Sequence, residues 1–524
     1  MTETETGAAG GHSRRGFMKM AGAASVALAI PLNLAGVRFA HAAGGTLTVR
    51  FGSDISILDP ALIFQIENQT IAGHVYNGLV KYDQATNEIV PDIATGWTVS
   101  DDGTVWTFQL RDGVTWHKGY GPFTSDDVKF SFDRVLDEAT GSRYRGQLRG
   151  LRAVETPDPL TVVFRLEKPN AGFLHKVCAF NQGWLVSRKA VTEKGEGYKL
   201  DPIGTGPFVF DSWTAGNSVR LVANPDYFDG APALDDVVFR IIRDETAAAI
   251  ALENGEIDIF FALQQPEVIE RLSATNGINV MSRDANNTVN LVLNTTQKPL
   301  DDVRVRRAMI HALNRQGLID GFFKGTKGQA TSVLTPTFQE YTAEGVPTYD
   351  YDPDKARALL KEAGAEGFDF TIVTVALSPF DRFPVPMADD LNAVGINASI
   401  QVIERGAYVQ ARASGRVPSC ITAVVGPPDP DSPLVTLFST ASFPPGLNTS
   451  RYDQVDGLLA AASEEQDPEK RKAIYAEILK KTMEDVPVIP IYADRLFVAI
   501  TDKVEGFTQN SLFTMYSYPV SLES

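Results

Sequence analysis

The chain has 524 residues, with 48 Lys and Arg against 65 Asp and Glu, six His and two Cys, and a formal net charge of −17 at pH 7. So acidic a balance repels phosphate backbones and anionic headgroups, which argues against nucleic-acid and membrane-surface partners and for a soluble protein. The length exceeds what one hydrophobic core supports, two cysteines are too few for a disulfide scaffold, and no segment beyond residue 42 approaches the roughly 18 apolar residues of a membrane span.

Ser13-Arg14-Arg15-Gly16-Phe17-Met18-Lys19 leads into an Ala/Gly-rich apolar run interrupted by Pro31 and ending in Ala40-His41-Ala42. A paired arginine, an aromatic residue, a lysine and a small-x-small site read as a twin-arginine export signal over 1–42, cleaved after Ala42, and place the protein in the periplasm. Its removal takes away Arg14, Arg15, Lys19 and Arg38 but only Glu3 and Glu5, so the remainder is more acidic still. Cys178 and Cys420 read as buried thiols, because a substrate of this route folds in the reducing cytoplasm. His74, His117, His175 and His311 stand at no metal-ligand spacing, and no metal site is expected.

From Gly45 onward strand and helix signals mix. Thr46 to Phe51 alternates apolar and polar residues as a strand does, before the Leu58-Asp59-Pro60 turn. Trp106 to Leu110 alternates likewise, and Asp112-Gly113 predicts a hairpin before Val114 to Trp116. Thr124-Ser125-Asp126-Asp127 caps a helix with Val128, Phe132, Val135 and Leu136 on one face. After a strand at Thr161 to Leu166, Gly204-Thr205-Gly206-Pro207-Phe208 opens a new block. There the helix Glu245 to Glu253 ends at Gly255 and gives way to the strand Ile257 to Phe260, a step of an α/β layer. Farther on, Asp301, Asp352-Pro353 and Asp467-Pro468 each start a helix, the last burying Tyr475, Ile478, Leu479 and Met483.

Catalytic patterns do not emerge. No Gly-x-Ser-x-Gly elbow occurs; Gly204-Thr205-Gly206 lacks the third glycine of a dinucleotide fingerprint, and Gly325-Thr326-Lys327-Gly328 lacks a phosphate loop's ending. Asp126-Asp127 and Asp301-Asp302 sit at helix starts, where carboxylates satisfy orphan amides, and His311 lies within a helix. The chain reads as a non-enzyme without a cofactor.

Ten blocks in order resemble the family-5 extracellular solute-binding proteins of ABC importers, the group of dipeptide, oligopeptide, opine and nickel-chelate receptors. They include Tyr76-Asn77-Gly78-Leu79-Val80, Asp102-Gly103-Thr104-Val105-Trp106-Thr107-Phe108, Gly204-Thr205-Gly206-Pro207-Phe208, Asn224-Pro225-Asp226-Tyr227-Phe228, Asp302-Val303-Arg304-Val305-Arg306-Arg307-Ala308 and Pro487-Val488-Ile489-Pro490-Ile491-Tyr492. The resemblance implies an α/β clamshell of the type II periplasmic-binding-protein kind, two lobes with an extra inserted domain. Lobe I would take 43–86, 203–296 and 495–524, the inserted domain 87–202 and lobe II 297–494. The implied function is capture of a peptide or peptide-like solute between the lobes by a monomer, for delivery to an ABC permease. The alternatives are a receptor for a non-peptide solute such as an opine, or a periplasmic hydrolase acting on a peptide-like solute.

Peptide-binding relatives hold the ligand's free amine with an aspartate in a Trp-x-x-Asp stretch shortly before an Asp-Pro turn. Asp429-Pro430-Asp431 matches the turn, but a gapless count puts Ala423 and Gly426 where the tryptophan and aspartate stand. The dipeptide receptors' Arg-Pro-Tyr stretch is likewise replaced by Leu377 to Phe383. With glycine at 426, recognition is expected to shift toward the ligand's acidic groups, with Arg382, Arg143 and Arg145 as candidate carboxylate partners and Asp429 or Asp431 as substitutes for the missing carboxylate.

Overall fold

The computed structural model describes residues 44–178, 181–424 and 427–523. The export signal and Gly426 lie outside these residues. An eleven-stranded sheet runs through the molecule. Ten of its strands are β1 (Thr46–Phe51), β2 (Phe208–Thr214), β3 (Ser218–Ala223), β4 (Asp236–Ile241), β5 (Ile259–Leu263), β6 (Ile278–Leu293), β7 (Asp369–Val375), β8 (Asn397–Ile403), β9 (Ser419–Val424) and β10 (Val488–Thr501). They lie in the order β2-β3-β4-β1-β5-β10-β6-β9-β7-β8, with the two-residue strand Gly328–Gln329 beside β10.

Two strands make this one sheet serve two lobes. β6 has 16 residues and β10 has 14, well beyond the usual five or six. Ile278 to Asp284 pairs with Arg495 to Thr501 in the first lobe, and Thr288 to Val292 pairs with Val488 to Ala493 in the second. Between them Ala285, Asn286 and Asn287 stand against Asp494 alone, and the register shifts. This is a bulge wider than one residue, and it bends the ladder where the lobes meet. Asn287 Nδ2 donates to Asp494 Oδ2 at 2.7 Å and pins it.

In the first lobe β1 runs parallel to β4 and β5, with Leu47, Val49 and Phe51 buried. A separate four-stranded antiparallel sheet, Ala94–Val99, Val105–Leu110, Thr161–Leu166 and Leu151–Asp158 in that order, shares the first lobe's apolar core. Helix α1 (Ser125–Leu136) crosses it with Phe132 edge-on to Phe164, ring centroids 4.9 Å apart. Thr124 N–H donates to Asp127 Oδ2 at 3.2 Å, half of the expected capping box. The Asp112-Gly113 hairpin does not form. Val105–Leu110 already has a partner along each edge, so Thr115–Trp116 pairs with Gly121–Pro122 instead, and Gly113, at φ 76°, supplies only the turn.

Helices α2 (Glu245–Glu253) and α3 (Pro266–Ser273) flank β5 in the first lobe. The second lobe carries α4 (Val303–Ala312), α5 (Pro353–Ala363), α6 (Arg405–Ser414), α7 (Asp431–Phe438) and α8 (Pro468–Asp485). Asp302, not Asp301, caps α4: its extended backbone lets its side chain accept from Arg304 N at 2.8 Å, while Asp301 N–H belongs to the preceding turn through Gln297 O. Asp352 and Asp467 cap α5 and α8 as expected. Cys178 and Cys420 are free, buried thiols.

Candidate ligand-binding cleft

Beside β10, where it passes between the lobes, the end of β5 leaves open space. A cavity of about 740 Å³ lies between the first lobe's Glu245 and Ala262 to Glu267 and the second lobe's Phe322 to Lys324, Lys327 and Ser378 to Arg382. A neighbouring cavity of about 340 Å³ reaches from Phe51, Phe64 and Phe261 to Arg405. The two share Ala262, Gln264, Leu496, Phe497 and Phe513, so they form one cleft. Its walls mix aromatic side chains, which supply apolar area at small cost in side-chain freedom, with many polar and charged groups that can fix orientation. Lys324 of the second lobe pairs with Glu267 of the first across its mouth. Lys327 is held by Asp494 at 2.6 Å on the hinge strand.

The six residues singled out in the sequence separate. Arg382 lines the larger cavity with 68% of its side chain exposed, bonded to Ser378 Oγ at 3.0 Å and only 3.8 Å from Asp381. Arg143 stacks over Phe64, 4.2 Å from the ring centroid, and Phe64 forms part of the smaller cavity's wall. Arg145 points away into a surface pair with Glu138 at 2.7 Å. Gly426 lies outside the described residues.

Asp429 and Asp431 are fully buried in an ion cluster. Lys176, on the turn Leu174–Cys178 that packs with the first lobe, comes within 2.7 Å of Asp431 and 3.6 Å of Asp429. From α8, Arg471 bonds Asp429 at 2.9 Å and Glu340 at 3.0 Å, and Tyr475 donates to Asp431 at 2.8 Å. Burial pushes the Asp429 carboxyl up, but Lys176 and Arg471 outweigh it and hold it below the usual carboxylate range. Burial likewise disfavours the Lys176 ammonium, and Asp431 with Asp429 more than restores it. Both carboxylates are thus charge-compensated by the chain's own cations, although Asp429 Oδ2 has no hydrogen-bond partner among the described residues. The α7 start explains part of the arrangement, since Asp431 N–H donates to Asp429 Oδ1 at 3.3 Å.

Arg405, Lys176 and Lys324 escaped the sequence reading. Each is a lone basic residue outside any motif, and only the pairing of the two lobes gives it a setting. Among the described residues no three His, Cys, Asp or Glu side chains are gathered to hold a metal ion. None of the helices described there is long and apolar enough to cross a membrane.

The model of the bacterial extracellular solute-binding proteins, family 5 Middle, matches residues 88–444. The chain belongs to this family. This solute-binding protein is also 32% identical over 479 residues to the dipeptide-binding protein of Escherichia coli K12, covering 86% of this chain and 89% of that one. Among solved structures it is similar to HbpA2 from Haemophilus parasuis, with TM-score 0.85 and 28% identity over 92% of this chain and all of that one. It is similar as well to the periplasmic binding protein DppA from Helicobacter pylori in complex with the peptide STSA, with TM-score 0.77 and 31% identity over 92% of this chain and 98% of that one. The fold is the two-lobed type II clamshell, and the solute-binding protein is the substrate-binding component of an ABC importer.

Proposed function

We propose that this solute-binding protein captures a peptide or peptide-like solute in the interlobe cleft and passes it to an ABC permease as a monomer, after leaving the cytoplasm by the twin-arginine route. The observation that carries the reading is the cleft itself: about 740 Å³ of space between two lobes joined by only two strands, with the exposed Arg382 guanidinium on its wall. A guanidinium fork suits a carboxylate, and closure around a solute is how such lobes commit to it. The peptide class is supported by the relatives named above, one a dipeptide-binding protein and one solved with a peptide. Binding without chemistry is supported by the relatives named above, which are binding proteins. With no carboxylate at 426 to hold it, the ligand's amine contributes little, and Arg382, which lines the larger cavity, is the candidate for its acidic groups, with Arg143 behind Phe64.

Untargeted mass spectrometry of solute co-purifying with the processed protein tests the reading, followed by calorimetry with the identified compound. A peptide returned unchanged after incubation supports it. A cleaved product, or a solute with neither amide nor carboxylate, overturns it.

A further inference from the structure

The smaller of the two cavities carries chemistry that the general reading does not use. Arg405 is the first residue of α6, and its side chain is exposed on the cavity wall with no ion-pair or hydrogen-bond partner among the described residues. The helix start beside it is uncapped: the Glu404 side chain accepts no bond from the first turn. The guanidinium and the positive end of the helix therefore act in the same place on whatever enters. Across the cavity, on the first lobe's C-terminal segment, Gln509 is only 7% exposed. Its Nε2 donates to Leu496 O at 2.8 Å, and its buried Oε1 is an acceptor without a partner among the described residues. A buried acceptor left empty costs free energy that a ligand N–H recovers. Phe64, Phe261 and Phe513 complete the walls. Glu67, also on the first-lobe side, repels an acidic group from that wall and turns it toward the second lobe.

We propose that Arg405 and Gln509 form a side-chain subsite for an acidic residue of the ligand, Arg405 taking the Asp or Glu carboxylate and Gln509 Oε1 accepting a backbone N–H. The inference rests on the peptide-receptor reading and adds a preference within it. It is separate from Arg382, which faces the larger cavity.

The test uses the processed protein and two matched pools of alanine peptides two to five residues long, one pool with a single Glu and the other with a single Gln, offered together. Peptides retained after rapid gel filtration are counted by mass spectrometry. Wild type is expected to retain Glu over Gln peptides about tenfold, the scale of one charge-assisted hydrogen bond. Arg405→Gln, an exposed substitution, should bring the ratio to about one. Equal retention by wild type, or a ratio unchanged in Arg405→Gln, overturns the subsite and leaves the peptide receptor standing. Retention of neither pool by wild type overturns both.

Discussion

Lys176 Nζ lies 2.7 Å from Asp431 Oδ2 although 255 residues separate the two, and the bond joins a turn on the first lobe's side to the start of a helix in the second. Ala171 N–H, a few residues away, donates to Ser463 O at 2.8 Å along the same seam. Lys176 is therefore placed as a latch between the lobes. Lys176→Met keeps the length and removes the charge, and the ligand-free variant should show a larger radius of gyration by small-angle scattering. Superimposable wild-type and variant profiles would count against the latch.

Arg471 is the counter-ion that stays with Asp429 and Asp431 however the lobes move, since all three belong to the second lobe. Arg471→Met leaves two buried carboxylates undercompensated and should cost about 3 to 5 kcal/mol in urea denaturation. Tyr475→Phe, which removes one neutral donor from Asp431, should cost about 1 kcal/mol. A loss from Arg471→Met no larger than that from Tyr475→Phe would contradict the account.

Stability should fall with acid well before the carboxylates titrate. Burial holds His74 and His117 at about 4, against an ordinary value of 6.5, with only partial relief from their bonds to Thr70 O and Gly206 O. The unfolded chain takes up these protons below pH 6.5 and the folded one only near pH 4. The contribution is therefore complete above 6.5 and is lost progressively between 6.5 and 4, at about 3 kcal/mol for each histidine. Burial lowers His175 as well, so His117→Gln should flatten only part of the slope, and melting temperatures across that window check it.

Arg382→Gln should weaken binding of a free-carboxylate ligand about tenfold or more while leaving its C-terminal amide unaffected. Calorimetry on the two forms separates lost charge recognition from lost shape. Equal losses for both would remove Arg382 from the carboxylate role.

Replacing Arg14 and Arg15 together by lysine should strand the precursor in the cytoplasm, because the export receptor reads the guanidinium pair and not the charge. Fractionation checks this. Undiminished periplasmic yield would refute the twin-arginine route.

Local signals in the chain held wherever short-range chemistry decides structure. Thr124 with Asp127, Asp352 with Pro353 and Asp467 with Pro468 mark helix starts because capping is settled within four residues. The hairpin at Asp112-Gly113 misled because the neighbours of Val105–Leu110 arrive from residues 94–99 and 161–166, a choice no turn dipeptide encodes. The cleft was half legible. Arg382 stands out beside a replaced family motif, whereas Arg405 and Lys176 look like ordinary solvated side chains until the lobes are paired. Asp429 and Asp431 were visible as a turn, but their burial depends on Lys176 and Arg471, which arrive from far away in sequence.

The chain passes between the lobes only along β6 and β10, and those two strands are bonded to each other on both sides of the three-residue bulge at Ala285 to Asn287. A ladder resists sliding along its length, because a slip of one residue would break every rung and turn each side chain to the opposite face. Relative motion of the lobes is thereby reduced to flexing about a single line through Asp494. The jaws must swing open and shut like a book on its spine, so a solute enters from the side away from Asp494, and residues near the spine move least as it arrives.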